Sequence, residues 1–479
     1  MSRPHLLWLR RDLRLGDHPA LEAAAAPGAP VIPVFVHDPG LGGTWALGAA
    51  SRWWLDGSLR ALDAALRARG SRLVLRSGLA VDTLRALARE TKASAVYFTR
   101  GYEPFIKPVE IALRDALAED GVECRRFGGH ILNEPEDVMN KSGEPFKVFT
   151  PYYKTVLARG EPRAPKPAPE TLAAPKTWPK SENLDSWGFQ PTKPDWAGGM
   201  RAAWTPGEAG AHARLQEFTT AIMRGYGESR NMPGQDGTSR LSPHLAFGEI
   251  SPHQVWMAVS AAAETAGASG GAESYLREIV WREFSYQLLF HNPRLPDQAF
   301  RPEFAPFPFV EDSAGLRAWR RGRTGYPIVD AGMRQLWQTG WMHNRVRMIV
   351  ASFLIKHLLI DWREGERWFW DTLVDADLAN NSSSWQWVAG SGADAAPYFR
   401  IFNPVLQGEK FDAEGGYIRR FVPELAGLAP EHIHAPWNAP PAALAKAGVR
   451  LGRTYPAPIV DHAKARARAL AAYEKIKQA

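Results

Sequence analysis

Apolar runs rich in strand-forming residues recur at a regular pitch through the first quarter of the chain: HLLWL (5–9), VIPVFVH (31–37), RLVL (72–75), AVYF (95–98) and VECRRF (122–127). Alanine-, leucine- and arginine-rich segments with helical periodicity separate them. Five short strands divided by helices predict a doubly wound parallel sheet in an α/β domain, because each helix buries its apolar stripe against the sheet. Asp17 or His18 ahead of Pro19 reads as a helix start. The segment after the first strand, RRDLRLGDHPAL, has no G-x-G-x-x-G, so a dinucleotide fingerprint is absent there. From Arg159 to Gly199 the pattern breaks into eight prolines and many lysines, an irregular linker. Beyond about Pro206 the period is helical almost to the end, with Ser242-Pro243 and Ser251-Pro252 as N-cap and first-turn pairs. The expected organisation is an α/β domain over 1–130, a linker over 131–205 and an all-α domain over 206–479.

Composition narrows the class without naming a function. A length of 479 residues implies two or more domains, and 45% hydrophobic with 11% aromatic residues implies a folded core. The apolar runs are far too short for a membrane span, and the N-terminus lacks a secretory core. A single cysteine, Cys124, excludes an intrachain disulfide and suits a reducing, cytoplasmic setting. The net charge of +7 is compatible with a polyanionic partner, and equally with an arginine-rich protein that has none.

The stretch from Gly325 to Phe402 is the most informative. Eight of the 19 tryptophans lie between Trp319 and Trp387, among Arg345, Arg347, Asp375, Asp377 and Asn381. Indoles crowded with formal charges make a poor generic core, since each buried charge needs a partner. They suit a flat aromatic cofactor, which needs stacking surfaces and a few placed polar groups. The ordered motifs GYPIVDAGMRQL, WMHNR, DWREGER, DADLANN, WQW and FRIFNP, with DGTSRLSPHLAFGEIS (236–251) and REIVWREF (277–284), resemble the DNA photolyases and cryptochromes. The heptamer Met342 to Met348 resembles class I cyclobutane pyrimidine dimer photolyases. What the resemblance implies is an antenna-type N-terminal domain, a helical FAD-binding catalytic domain, and ultraviolet-damaged DNA as partner of a monomeric protein with no membrane association.

Residue by residue, the resemblance assigns FAD contacts to Tyr226, Thr238, Ser239, Arg240, Leu241, Ser242, Arg282, Asn344, Arg347, Asp375, Asp377 and Asn381. Unaided, the 237–242 segment reads as an ordinary capped helix, although hydroxyls and a guanidinium there suit a diphosphate. Glu278, Trp281, Arg282 and Ser285 share one helical face; alone they read equally well as a surface ion pair beside a local cluster. In the resemblance Glu278 hydrogen-bonds the lesion, Trp281 stacks on it and Arg282 faces the flavin. Arg230, Asn344, Arg345 and Met348 lie towards DNA, Trp387 forms a second apolar wall, and Asp375 pairs with Arg347. Asn381 matches the residue beside flavin N5, where plant cryptochromes place aspartate.

Asp375-x-Asp377 with Asn381 invites a calcium reading, which fails: position 379 is alanine, no glycine follows, and the twelfth position is Gln386. No metal is expected. The polar folate contacts of some relatives are replaced around Tyr102-Glu103-Pro104-Phe105-Ile106 and Leu295, leaving the identity of any second, antenna chromophore open. Trp385 and Trp362 match the inner members of a three-tryptophan relay to the flavin, while the distal position holds Phe309, making Trp319 the nearest substitute in sequence. The implied activity is light-driven repair of cyclobutane pyrimidine dimers by electron transfer from reduced FAD. The alternatives are a cryptochrome-type photoreceptor and a dark flavin oxidoreductase, the latter without a nicotinamide fingerprint.

Overall fold

A computed structural model describes residues 3–26, 28–266, 269–395 and 399–478. The chain forms two compact units that do not follow chain order: Met1–Arg224 with Ser239–Pro293 and Val374–Ala379, and Gly225–Thr238 with Arg294–Leu373 and Asn380–Ala479.

The first unit contains a five-stranded parallel sheet, β1 His5–Leu9, β2 Val31–His37, β3 Val74–Ser77, β4 Ala95–Thr99 and β5 Glu123–Phe127, in the order β3-β2-β1-β4-β5. The expected strands are all present, with boundaries moved by at most two residues. Strands β1 and β4 are buried along their whole length, as strands covered on both faces must be. Edge strand β5 carries only exposed and half-buried positions, and its arginines and glutamate discourage edge pairing. Leu6, Trp8, Ile32, Val34, Val96, Phe98 and Leu113 lie in one continuous core.

The turn after β1 is filled by the protein's own groups. Buried Arg14 donates to the carbonyls of Gly16, Asp17, Gly129 and Gly248. The Glu208 carboxylate accepts the backbone N–H groups of Leu15 and Gly16 at 2.8 Å each. An anion from within the chain thus occupies the place where a dinucleotide fold presents N–H groups to a phosphate. Helix Pro19–Ala25 begins as expected, with the His18 ring accepting from Leu21 N–H. Ser251 caps Pro252–Ala266 as a reciprocal box: its hydroxyl accepts from Gln254 N–H, and its own N–H donates to the Gln254 amide oxygen. Ser242, by contrast, is not a cap. Helix Ser242–Ala246 starts one residue earlier than expected, with Leu241 at the N-cap position.

The second unit is helical. Buried Asp330 ties its central loop, accepting from Thr324 N–H and hydroxyl (2.7 Å each), Gly325 N–H and the Tyr455 hydroxyl. Helices Pro327–Thr339 and Asn344–Ser352 cross at Gly332, where a Cβ would meet Val346 at 2.5 Å. Closeness there sets the position of the Asn344–Ser352 helix and the side chains it presents.

Candidate functional site

In the first unit, helix Ser269–His291 carries Glu278, Trp281 and Arg282. Two separated faces were expected, but from Ile279 to Leu289 only Trp281 is not fully buried, so Arg282 is enclosed. Its guanidinium lies 3.0 Å from the His130 carbonyl and 2.9 Å from His130 Nε2, and packs over the Tyr286 ring. Tyr286 donates to Asp377, and its hydroxyl lies 2.7 Å from the same His130 nitrogen. Burial, then the Arg282 charge, pushes His130 down to about 3, so it is neutral at physiological pH. One face of Trp281 is stacked on Phe149, with centroids 3.5 Å apart and planes 6° from parallel. Any base that Trp281 meets must therefore use its other face. Glu278 is half-buried on the same helix.

Ser239 accepts from the Tyr275 hydroxyl at 3.0 Å and from Leu241 N–H at 3.3 Å. Arg240 adopts a left-handed conformation, φ 53°, and its guanidinium covers the Trp204 ring. Ser242 is exposed, and Asp375 and Asp377 are buried on the segment Val374–Ala379.

In the second unit, His343 caps helix Asn344–Ser352, its ring accepting from Arg345 N–H. The helix buries Val346, Ile349 and Val350 and leaves Asn344, Arg347 and Met348 accessible on one face, with Arg345 accessible beside them. Arg347 Nε donates to the Met342 carbonyl at 2.7 Å. Arg345 donates to Asn231 and covers the Phe411 ring, with no carboxylate paired to it among the described residues. Burial, then the charges of Arg230 and Arg400, lower its affinity for a proton. Arg230 packs against buried Tyr226, and Thr238 is half-buried. Arg400 is a site candidate that the sequence reading missed; its signal was the arginine of FRIFNP.

Asn381 is buried, and its Nδ2 donates to the Glu366 carbonyl at 3.0 Å. Glu366, also unmarked by the sequence reading, is fully enclosed. Its carboxyl accepts from Ser382, and burial raises it well above the ordinary carboxylate range. Trp385 lies against Gly365, where a Cβ would fall inside the indole ring. Gly365→Ala should therefore cost about 1–3 kcal/mol by overpacking, read as a lower urea midpoint; an unchanged midpoint would show that Trp385 is free to move. Trp387 is half-buried, its indole N–H on the Asp394 carbonyl. Trp362 and Trp319 are buried. Trp319 and Trp385 lie 6.2 Å apart between centroids, edge to face. Among the described residues no group of three His, Cys, Asp or Glu is placed to hold a metal, and no helix is long and apolar enough to cross a membrane.

Residues 275–475 match the FAD binding domain of DNA photolyase, and residues 5–170 match the DNA photolyase domain. A deoxyribodipyrimidine photo-lyase of Agrobacterium fabrum is 54% identical over 477 residues, covering 100% of this chain and 99% of that protein. Cryptochrome-1 of Arabidopsis thaliana is 39% identical, covering 96% of this chain and 69% of its own length. The crystal structure of a bacterial class III photolyase from Agrobacterium tumefaciens superposes with a TM-score of 0.97 at 54% identity, covering 100% of this chain and 98% of that one. The chain belongs to the DNA photolyase family and carries its FAD-binding domain. The class I expectation is corrected by that class III relative.

Proposed function

We propose that the protein is a light-driven deoxyribodipyrimidine photo-lyase of the class III type. The observation that carries the reading is the end-to-end match to a photo-lyase at 54% identity. Arg345, half-buried with Arg230 and Arg400 near it and no carboxylate paired to it among the described residues, adds the chemistry of a phosphate-binding surface. FAD, when bound and reduced, would supply the photoexcited electron for opening the cyclobutane ring. The assigned contacts combine hydroxyl, amide and guanidinium donors with the carboxylate acceptors of Asp375 and Asp377, a set that fits a flavin dinucleotide. In the first unit these are Ser239, Arg240, Leu241, Ser242, Arg282, Asp375 and Asp377. In the second they are Tyr226, Thr238, Asn344, Arg347 and Asn381. Asn381 offers an uncharged oxygen to the ring system, which favours repair over the plant-cryptochrome arrangement. Glu278 and Trp281 hold the flipped-out dimer, with Arg230, Asn344, Arg345, Met348 and Trp387 on the DNA side.

The test is binding and repair of dimer-containing duplex DNA. Affinity should fall with salt by about 0.9 in log–log slope for each phosphate neutralised, exceed that for undamaged DNA, and lead to dimer loss under blue light. Arg345→Ala should weaken binding while leaving the flavin spectrum intact. Blue-light responses without any loss of dimers would favour the cryptochrome alternative.

A further inference from the structure

Lys356 is 3% exposed, in the wide turn Phe353–His357 that continues helix Asn344–Ser352. A lysine is rarely enclosed without a carboxylate, yet among the described residues none is paired with this one. Its Nζ donates to the Arg400 carbonyl and lies 4.4 Å from the centre of the Phe399 ring. Two residues further on, Phe402 N–H donates to the Ser352 hydroxyl at 3.3 Å. The segment 399–402 is thus tied to one helical run at two points, one neutral and one cationic. Lys356, Ser352, Arg400 and Phe402 also line, with Trp387, a cavity of about 20 Å³, room for a single water.

We propose that Lys356 is a positioning residue for the damaged-DNA surface: its ammonium group, clamped to the Arg400 carbonyl, holds segment 399–402 so that Arg400 stands with Arg345 and Trp387 is supported from behind. The inference rests on the repair reading above. A neutral donor would hold the same carbonyl with less desolvation, so the charge needs a use. Incoming phosphates supply one. Burial and then Arg400 pull Lys356 down to about 7, and a phosphate at Arg400 favours its protonated form. The other titratable and charged groups around the turn are His357, the His462 ring bonded to it, and Arg468, which donates to the His357 carbonyl. Because the bound state holds the proton more tightly, affinity is greatest below pH 7 and declines as pH rises above it.

The experiment uses the flavin-loaded full chain and a dimer-containing oligonucleotide, titrated by fluorescence anisotropy. Lys356→Met should bind roughly tenfold more weakly, the size of one charge-assisted hydrogen bond, with a salt slope smaller by about 0.9. Flavin absorption and repair per bound lesion should be unchanged. Wild-type affinity should decline between about pH 7 and 8.5, and the variant's should be flat. Lys356→Gln, which keeps a donor, should recover part of the affinity but none of the pH dependence. A Lys356→Met protein with wild-type affinity, slope and pH profile overturns the inference. So does a wild-type affinity flat over that range, a result that needs no variant to fold. Failure of the wild type to prefer damaged DNA would instead remove the repair reading on which the inference stands.

Discussion

Trp319→Phe is expected to slow light-driven reduction of the oxidised flavin sharply, with FAD content unchanged. Trp319 and Trp385 are edge-to-face neighbours, and Phe369 packs against both, 4.9 Å from Trp385 and 6.2 Å from Trp319 between centroids. Phe309, at the distal position of the expected relay, instead lies in an apolar cluster with Phe304, Phe307 and Phe399. A phenylalanine is much harder to oxidise than an indole, so a route through Phe309 stops there. Trp319 is itself enclosed, its N–H on the Val350 carbonyl. The exposed indole of the same unit is Trp337, stacked on Trp368, with Arg320 covering that ring. Transient absorption with an external reductant should show Trp319→Phe impaired and Phe309→Trp restoring photoreduction in that background. An unaffected Trp319→Phe would exclude the detour, and an unaffected Trp362→Phe would make the inner tryptophans packing residues only.

The second expectation is a steep loss of stability just below neutrality. Four enclosed histidines are held neutral chiefly by burial: His130 and His357 are pushed down to about 3, His253 and His343 to about 4. Each takes up a proton on unfolding once the pH falls below its ordinary value. Their contribution is whole above about pH 6.5 and disappears as pH falls towards the folded values. Each costs about 1.4 kcal/mol per pH unit in that window. Two carboxyls oppose them: Glu283 accepts from Leu132 and Asn133 N–H but is raised by burial to about 7, and buried Glu366 is raised well above the ordinary carboxylate range, so acid stabilises both. Four terms against two leave a net loss of about 3 kcal/mol per unit, enough to unfold an ordinary domain within about three units. The urea midpoint should drop steeply between about pH 6.5 and 5, and His253→Gln should flatten the slope by one histidine's share. A midpoint level across that range would mean that these rings titrate normally.

Local pattern decided much of this protein before any contact was known. The alternation of apolar runs with helical segments determined the five-stranded sheet, because a parallel strand covered on both faces can be nothing but apolar. Motif order placed Asn381, Trp385 and the accessible face of Asn344–Ser352, since helical spacing alone puts 344, 347 and 348 together. Tertiary structure decided what no spacing encodes. Arg282 meets His130 from 152 residues away, Glu208 caps the turn after β1 across 192 residues, and Phe149 takes one face of Trp281. Lys356 and Glu366 look like ordinary surface residues of amphipathic stretches. Only enclosure gives them shifted proton affinities, and enclosure depends on segments such as 399–402 that arrive from elsewhere in the chain. Periodicity reports which side of an element is apolar; which polar groups are desolvated together is set by the packing of distant elements, and the chemistry follows from that.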